Sequence, residues 1–459
     1  MKRRHFGLLA ASSAIALRAA GSAKAATNRN ADLLKTTLTP FGAEKAGNAD
    51  GSIPAWTGGF KPPADWKPSN QSIPDFYASD AKLLTINSKN YKQHEDMISP
   101  GVSALIQKYG YRIDVYPTQR TACAPQWVYD NTYQNCLNAE PDATGGRFGF
   151  TGAYGGIPFP IPDEGDNQGA EIIWNHICRW FGVYYNGKFS AFLVSSGNVE
   201  LTQTIRVNET NVYYLPNGSA EKYDGWLAKI RVHVTAPPTS QGEQFLEYDS
   251  TNPLQVPQET WQLLPGQGRV RKAPELQFDT PDALTGGVGN WDDQFGFTGS
   301  PVKYNWKVLG KKEMYVPYNN NAQYLQSPDV ILKSHFINPQ YTRWEKHRVW
   351  VLDATLAPGE RDVVPHRRMY IDEDTWTITV EEQYDAQGNL WKVTTNFNQI
   401  CPQAPGTLFG KSALYDLQTD QYVLNSGPWA DPKYGGDLNF NSNPENDFNP
   451  NMMAAEAQF

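Results

Sequence analysis

From residue 368 to 393, RMYIDEDTWTITVEEQYDAQGNLWKV, apolar and polar positions alternate with a period of two. Between Thr375 and Tyr384 the even positions carry Trp376, Ile378, Val380 and Tyr384, and the odd ones Thr375, Thr377, Thr379, Glu381 and Gln383. The pattern predicts a strand with one dry and one wet face. Asp385-Ala386-Gln387-Gly388 reads as a turn, after which Trp391, Val393 and Phe397 fall on one side and Lys392, Thr394 and Asn396 on the other. The resulting hairpin has an aromatic face that is either closed core or the lining of a cavity.

The same alternation runs from about residue 183 to 424, in FSAFLVSS, VELTQTIRV, WLAKIRVHVT, EQFLEYD, KHRVWVLDAT and SALYDLQTDQYVL. About ten strands with short polar turns predict a mainly β chain, one large antiparallel sheet or barrel. Helical periods are few: 88–98 and 102–109, parted by Pro100-Gly101, and GAEIIWNHICRWFG, where Ile172, Ile173, His176, Ile177 and Trp180 form one stripe. The prolines of YGGIPFPIP (154–162) exclude a central strand there. The expected organisation is a leader at 1–25, a Pro/Gly-rich wrapping segment with short helices at 26–165, the sheet with its helix plug at 166–426, and a polar tail at 427–459 that drapes or frays, with 26–459 one structural unit.

The ends and the charge narrow the class. Lys2, Arg3 and Arg4, an apolar run and Ala23-Lys24-Ala25 read as an export signal cut after Ala25, with the arginine pair fitting a twin-arginine or a general route equally. No later stretch is long and apolar enough for a membrane helix, so the expected location is a bacterial periplasm. Cutting there removes five of 40 basic residues and no acid, leaving 35 against 48, a net charge of −13. An acidic surface disfavours nucleic acid and anionic lipid head groups. Four cysteines fit an oxidising compartment. Cys123 and Cys136 are the expected local bridge, while Cys178 and Cys401 either meet across the fold or stay as buried thiols.

Reactive motifs are scarce. The histidines show no metal-ligand spacing, and His176 on the helix stripe reads as a hydrogen-bonded structural residue rather than a base. No metal or cofactor is expected. Carboxylates cluster at Asp292-Asp293, Asp372-Glu373-Asp374 and Glu381-Glu382, and Glu382 alone of the last pair falls on the apolar side, where its pKa would rise. Arg269 and Arg271 share one face of a short strand and either greet an anionic head group at a cavity mouth or protect a sheet edge. PDATGGRFGFTGA (141–153) is echoed by PDALTGGVGNWDDQFGFTGS (281–300), as convergent Gly/aromatic loops or as a duplication that puts two related loops on a rim.

The blocks LTPFGAEKAGNADGSIPAWTGG, YPTQRTACAPQWVYDNT, GAYGGIPFPIP, FGFTGSPVKYNWKVLGKKEMYVPYN and the opening hairpin resemble domain-of-unknown-function family 1329, exported bacterial proteins related to the lipoprotein-sorting proteins LolA and LolB. The resemblance implies a strongly curved, unclosed antiparallel β-barrel with helices on its concave side, a role in carrying lipid or other apolar molecules, and a resistance-nodulation-division (RND) exporter as partner. It implies no catalytic residues. On this reading Trp376, Ile378, Val380, Trp391 and Val393, with Trp350 and Leu352 of a neighbouring strand, line the groove, and Ile173, Ile177 and Trp180 form its lid. The alternatives are a carbohydrate-active enzyme using Glu382 and a second acid, or an adaptor of an exporter that binds no small molecule.

Overall fold

The structure is a computed structural model that describes residues 29–67, 73–274, 278–427, 429–436, 439–440 and 445–456. The expected leader at 1–25 lies outside the described residues. The strands are β1 (Leu84–Ile86), β2 (Ile113–Val115), β3 (Glu140–Pro141), β4 (Phe150–Thr151), β5 (Tyr184–Ser195), β6 (Asn198–Thr210), β7 (Trp226–Ala236), β8 (Gln244–Ser250) and β9 (Glu259–Leu263). They continue with β10 (Val270–Lys272), β11 (Tyr304–Pro317), β12 (Trp344–Leu356), β13 (His366–Asp372), β14 (Ile378–Tyr384), β15 (Leu390–Cys401), β16 (Gly406–Asp416) and β17 (Gln421–Gly427). Helices α1 (Pro100–Tyr109), α2 (Gln126–Asn138) and α3 (Gln168–Ile177) precede the main meander.

One 15-stranded sheet dominates, in the order β1, β2, β12, β13, β14, β15, β16, β17, β5, β6, β7, β8, β9, β10, with β11 pairing β12 off that path and β3–β4 a separate pair. Its ladders are antiparallel except where β2 meets β12 at Val115 and Trp344. Two meanders, β11–β17 and β5–β10, are thus joined by β17 lying beside β5. Among the described residues no ladder links the two ends of the path, so the sheet is curved but not closed. The alternating segments do form strands; about ten were expected because the short pieces at 84–86, 113–115 and 270–272 carry too few residues to display a period.

Strand β12 explains how the sheet is covered. Leu352 and Ala354 join one hydrophobic core, while Val349 and Val351 join a second on the opposite face. The first core holds Ile172, Ile173 and Trp174 of α3, and the second holds Val102, Leu105 and Ile106 of α1. The meander β12–β16 is therefore dry on both sides, which is the correction to the wet face expected of β14. Thr379, Glu381 and Gln383 are fully buried. Charged residues at buried positions mimic a solvated face in sequence, and only their partners tell the two apart.

A bulge completes the correction. Tyr370 pairs with Val380 but the next residue, Ile371, pairs with Ile378, so Thr379 is the extra residue and the side-chain alternation flips. Ile378 consequently lies in the α3-side core and Val380 in the α1-side core. Trp376 is not in the strand at all: it sits in the turn at φ 59°, its N–H donating to Asp372 O at 2.9 Å.

One further expectation changes. Cys123 and Cys136 are not bridged, and all four cysteines are free. Cys136 occupies the last turn of the 13-residue α2 and Cys123 precedes its start, so about 15 Å of helix separates them, far beyond the roughly 7 Å between Cα atoms that a disulfide tolerates. Of the two alternatives for the tail, its described residues take the draped one, Phe448 and Met453 packing with Leu246 and Leu263 under β8–β10. Thiol counting after unfolding without reductant should return four groups per chain, with Cys123, half-buried and pushed up to about 11 by burial, the first to react in the native protein; two groups would restore a bridge.

Candidate functional site: an amphipathic cavity on the α3 face

The register of four adjacent strands builds a cavity wall. Gly187, Val207, Val232 and Phe245 lie opposite one another across β5, β6, β7 and β8, and two residues along each strand Tyr185, Glu209, Ile230 and Glu247 form the next row. Side chains two apart share a face, so an apolar row stands beside a row with two carboxylates. The facing wall is the segment 278–301, with Phe278, Leu284, Trp291 and Phe295. The space between has two lobes of about 120 and 170 Å³ that share Glu209, Ile230, Asp249, Gln258, Phe278, Phe295 and Thr298. Each lobe is comparable with an apolar cavity of about 150 Å³ that takes a benzene ring.

The 278–301 wall is held by a buried cation. Arg367 of β13 has no solvent exposure and reaches Asp292 at 3.0 and 3.1 Å, Asp293 at 2.8 Å and Glu381 at 2.9 Å. Burial pushes Glu381 up to about 7 and Asp292 well above its ordinary value, whereas Arg367 and Lys392 hold Asp293 down despite its burial. Gly296, at φ 92°, lets the wall touch the sheet, since a Cβ there would meet Ile378 Cγ2 at 2.8 Å. The neighbouring Phe297 O accepts from His176 Nε2 at 3.2 Å, so α3 and the wall are fastened together.

Inside the cavity, Glu247 and Asp249 stand two apart on β8 and share Gln258, whose Nε2 donates to both, at 2.9 Å to Asp249. Burial raises Asp249 to about 6, and burial with the neighbouring Asp249 lifts Glu247 well above the carboxylate range. Burial, then Asp249, raises Glu209 to about 7 against the pull of Arg179, and burial raises Asp282 to about 7. Arg179 lies against the Phe295 and Phe181 rings, at 5.2 and 5.7 Å.

Of the residues expected to line a groove, Ile177 does. Ile173, Leu352, Trp376 and Ile378 are filled core on the α3 side, with Trp350 packed against them. Trp180 donates to Pro405 O at 2.9 Å and stacks edgewise on Trp127 and Tyr214. Val380 and Val393 are in the other core, and Trp391 donates to Asp416 at 3.2 Å. Arg269 and Arg271 are exposed on the β10 edge, Arg271 bonded to Gln262 at 2.7 Å, away from the cavity. The lining that was missed was signalled by TIRVNET and EQFLEYD, where apolar residues at every second position run into a carboxylate on the same face.

Two other candidates have structural work. Glu382 accepts from Gly101 N–H at the start of α1 at 2.5 Å and from Tyr384 OH at 2.8 Å. Among the described residues one group with metal-ligand chemistry converges, His347, Asp372 and Asp374, its atoms within 4.8 Å of one another. Arg120 already holds both oxygens of Asp374 at 2.6 and 2.8 Å. Burial pushes His347 down, but Asp372 and Glu345 hydrogen bonds prevail and raise it to about 9, so it is itself a cation there. An added metal ion would face two positive groups, so the cluster reads as an ion-pair network.

Fold and cavity together define an open-sheet protein with an internal amphipathic site. The chain belongs to the family of proteins of unknown function DUF1329, which it matches over residues 85–454. An uncharacterised protein of Pseudomonas aeruginosa is 36% identical over 469 residues, covering 98% of each chain. Among solved structures, a DUF1329 family protein from Desulfovibrio piger is 10% identical with a TM-score of 0.40 over 59% of this chain and 90% of that one. A putative outer membrane lipoprotein-sorting protein domain from Vibrio parahaemolyticus is 16% identical with a TM-score of 0.41 over 63% and 100%. A LolA superfamily protein from Nitrosomonas europaea is 11% identical with a TM-score of 0.35 over 61% and 96%.

Two outcomes follow for stability. Arg367→Met leaves three buried carboxylates without their cation and should cost about 3–5 kcal/mol in urea unfolding, as for other broken buried pairs; a loss near zero would mean the wall is held by packing alone. The folded state binds protons that the unfolded chain has released wherever an acid is raised, so Glu209, Asp282 and Glu381, all near 7, lose stability as pH climbs from their ordinary values. His347, raised to about 9, stabilises fully below its ordinary 6.5 and loses that as pH rises. The raised acids outnumber His176, which burial holds well below its ordinary value and which acts the other way, so Tm should fall between about pH 5 and about pH 7, and a rise over that range would contradict the assignment; above it Lys411, lowered to about 7 by burial, offsets His347.

Proposed function

We propose that this protein is a periplasmic carrier of lipids or other apolar small molecules, with its cargo in the cavity between β5–β8 and segment 278–301. The observation that carries the reading is the contrast between the two meanders. The strands β12–β16 bury both faces in side chains, whereas Val207, Val232, Phe245 and Ile230 face a void closed by aromatic rings. Burying such surface against a ligand is favourable by roughly 25 cal/mol per Å². The amino-terminal sequence, read as an export signal, supports export, and the family resemblance supports an RND exporter as the membrane partner. Among the described residues no helix is long and apolar enough to cross a membrane. A carbohydrate-active enzyme built on Glu382 is the weaker reading, because that carboxylate caps α1 outside the cavity.

Native mass spectrometry of protein purified gently from its own compartment should reveal an apolar adduct, and a neutral environment-sensitive fluorophore should bind at one per chain. Ile230→Trp, which fills the waist between the lobes, should weaken that binding by on the order of tenfold or more with Tm retained. Trp391→Ala, on the hairpin, should leave it unchanged. Binding that tracks Trp391 rather than Ile230 would return the site to the hairpin face. An apo mass with no uptake, together with co-purification of an exporter, would favour a non-binding adaptor.

A further inference from the structure

A carrier cavity that only buried hydrocarbon would have no use for the row that crosses it. Antiparallel register places Glu209 opposite Ile230 and Ile230 opposite Glu247, so two carboxylates flank one apolar residue on three adjacent strands. With strands about 4.8 Å apart the two carboxylate stems are about 10 Å from each other. Asp249 adds a third carboxylate beside Glu247, across from Ala228. Glu209, Ile230 and Asp249 line the cavity where its two lobes meet, while Glu247 lines the larger lobe together with the apolar row Val207, Val232 and Phe245.

A second observation points to a ligand on the other side of the junction, in the smaller lobe. Asn211 follows the last residue of β6 and lines the lobe that contains Glu209 and Asp249; it is 8% exposed, and its Oδ1 accepts no hydrogen bond. A buried acceptor left without a donor is costly, about 1–3 kcal/mol. Gln258 already donates to Glu247 and Asp249, but no described group donates to Asn211 Oδ1. Among the described residues the lining has one cation, Arg179, which donates to His176 O at 2.8 Å and lies against two phenylalanine rings. Its field acts on Glu209, while the influences on Glu247 and Asp249 are burial, each other, Gln258 and Trp291.

We propose that the cavity selects amphiphiles bearing a protonated primary amine, which donates to Glu247, Asp249 and Asn211 while the apolar body lies on Val207, Val232 and Phe245. An ammonium has three donors and no acceptor, which suits a wall that offers carboxylate and amide oxygens. A carboxylate or phosphate head would meet three acids and a single guanidinium, so anionic amphiphiles are the disfavoured class. The inference rests on the carrier reading and adds the chemistry of the cargo's head group, whether that amine belongs to a lipid or to a free aliphatic base.

The test compares octylamine, octanol and octanoate by calorimetric titration of the mature chain at about pH 7. Octylamine should bind on the order of tenfold more tightly than octanol, and octanoate more weakly than either. In Glu247→Gln/Asp249→Asn the amine should fall to the level of the alcohol with octanol binding unchanged. Equal affinities for amine and alcohol in the wild-type chain overturn the proposal, as does a preference that survives the double substitution. Should that variant fail to fold, the wild-type ranking and Glu209→Gln, expected to weaken the amine selectively, decide the matter. Binding of octanol without preference for the amine removes this inference and leaves the carrier; binding of none of the three removes both.

Discussion

A guanidinium with no access to water sets the cover of this sheet. Arg367 points from β13 into the α3 face, where it meets Glu381 from the neighbouring strand and Asp292 and Asp293 from a segment more than seventy residues earlier in the chain. Desolvating such a cation is affordable only when several acceptors surround it, and the same requirement obliges the 290–300 segment to remain in place. Its carbonyl at Phe297 then engages His176, and its rings at Trp291 and Phe295 become a cavity wall. The void is thus a consequence of where an ion pair closes.

The device recurs wherever irregular chain covers the sheet. Arg120 bonds Asp374 in the β13–β14 turn and also the carbonyl oxygen of Glu44 in the lead-in. Arg29 joins Glu171 of α3 at 2.5 Å, and Arg343 joins Glu345 and Asp80. Segments without a periodic apolar face cannot be placed by packing alone, because many arrangements would bury similar area. Charge pairs in a dry interface penalise every arrangement but one, so they position the cover even where their net stabilisation is small.

Much of the architecture was legible because strands of seven residues or more advertise their period. The segments around Phe189, Ile205, Val232, Phe245, Val351 and Val423 are strands, and the stripe of Ile172, Ile173 and His176 is a helix with its histidine hydrogen-bonded. The site was less legible. Alternation says which residues share a face but not how many faces are covered, so Glu381 and Gln383 looked wet although Arg367 and Asp293 await them. The bulge at Thr379 adds one residue and moves Val380 to the opposite core, a change of face that no composition records. The α2 region carries too weak an apolar stripe to announce a helix, and that helix is what parts Cys123 from Cys136.

The groove was sought in the most aromatic hairpin, and that reasoning inverted the relation between side chains and space. Large side chains facing covered strands are the filling: Trp376, for example, is 1% exposed and donates to Phe41 O at 2.9 Å. Space remains where the inward residues are medium-sized and the cover is a loop, as on β6 and β7 with Ile205, Val207, Ile230 and Val232. Branched aliphatic residues hold their rotamers and cannot swing in to fill a gap. A rigid floor of that kind, roofed by rings anchored through Arg367, keeps its volume without a ligand and so loses less entropy when one binds.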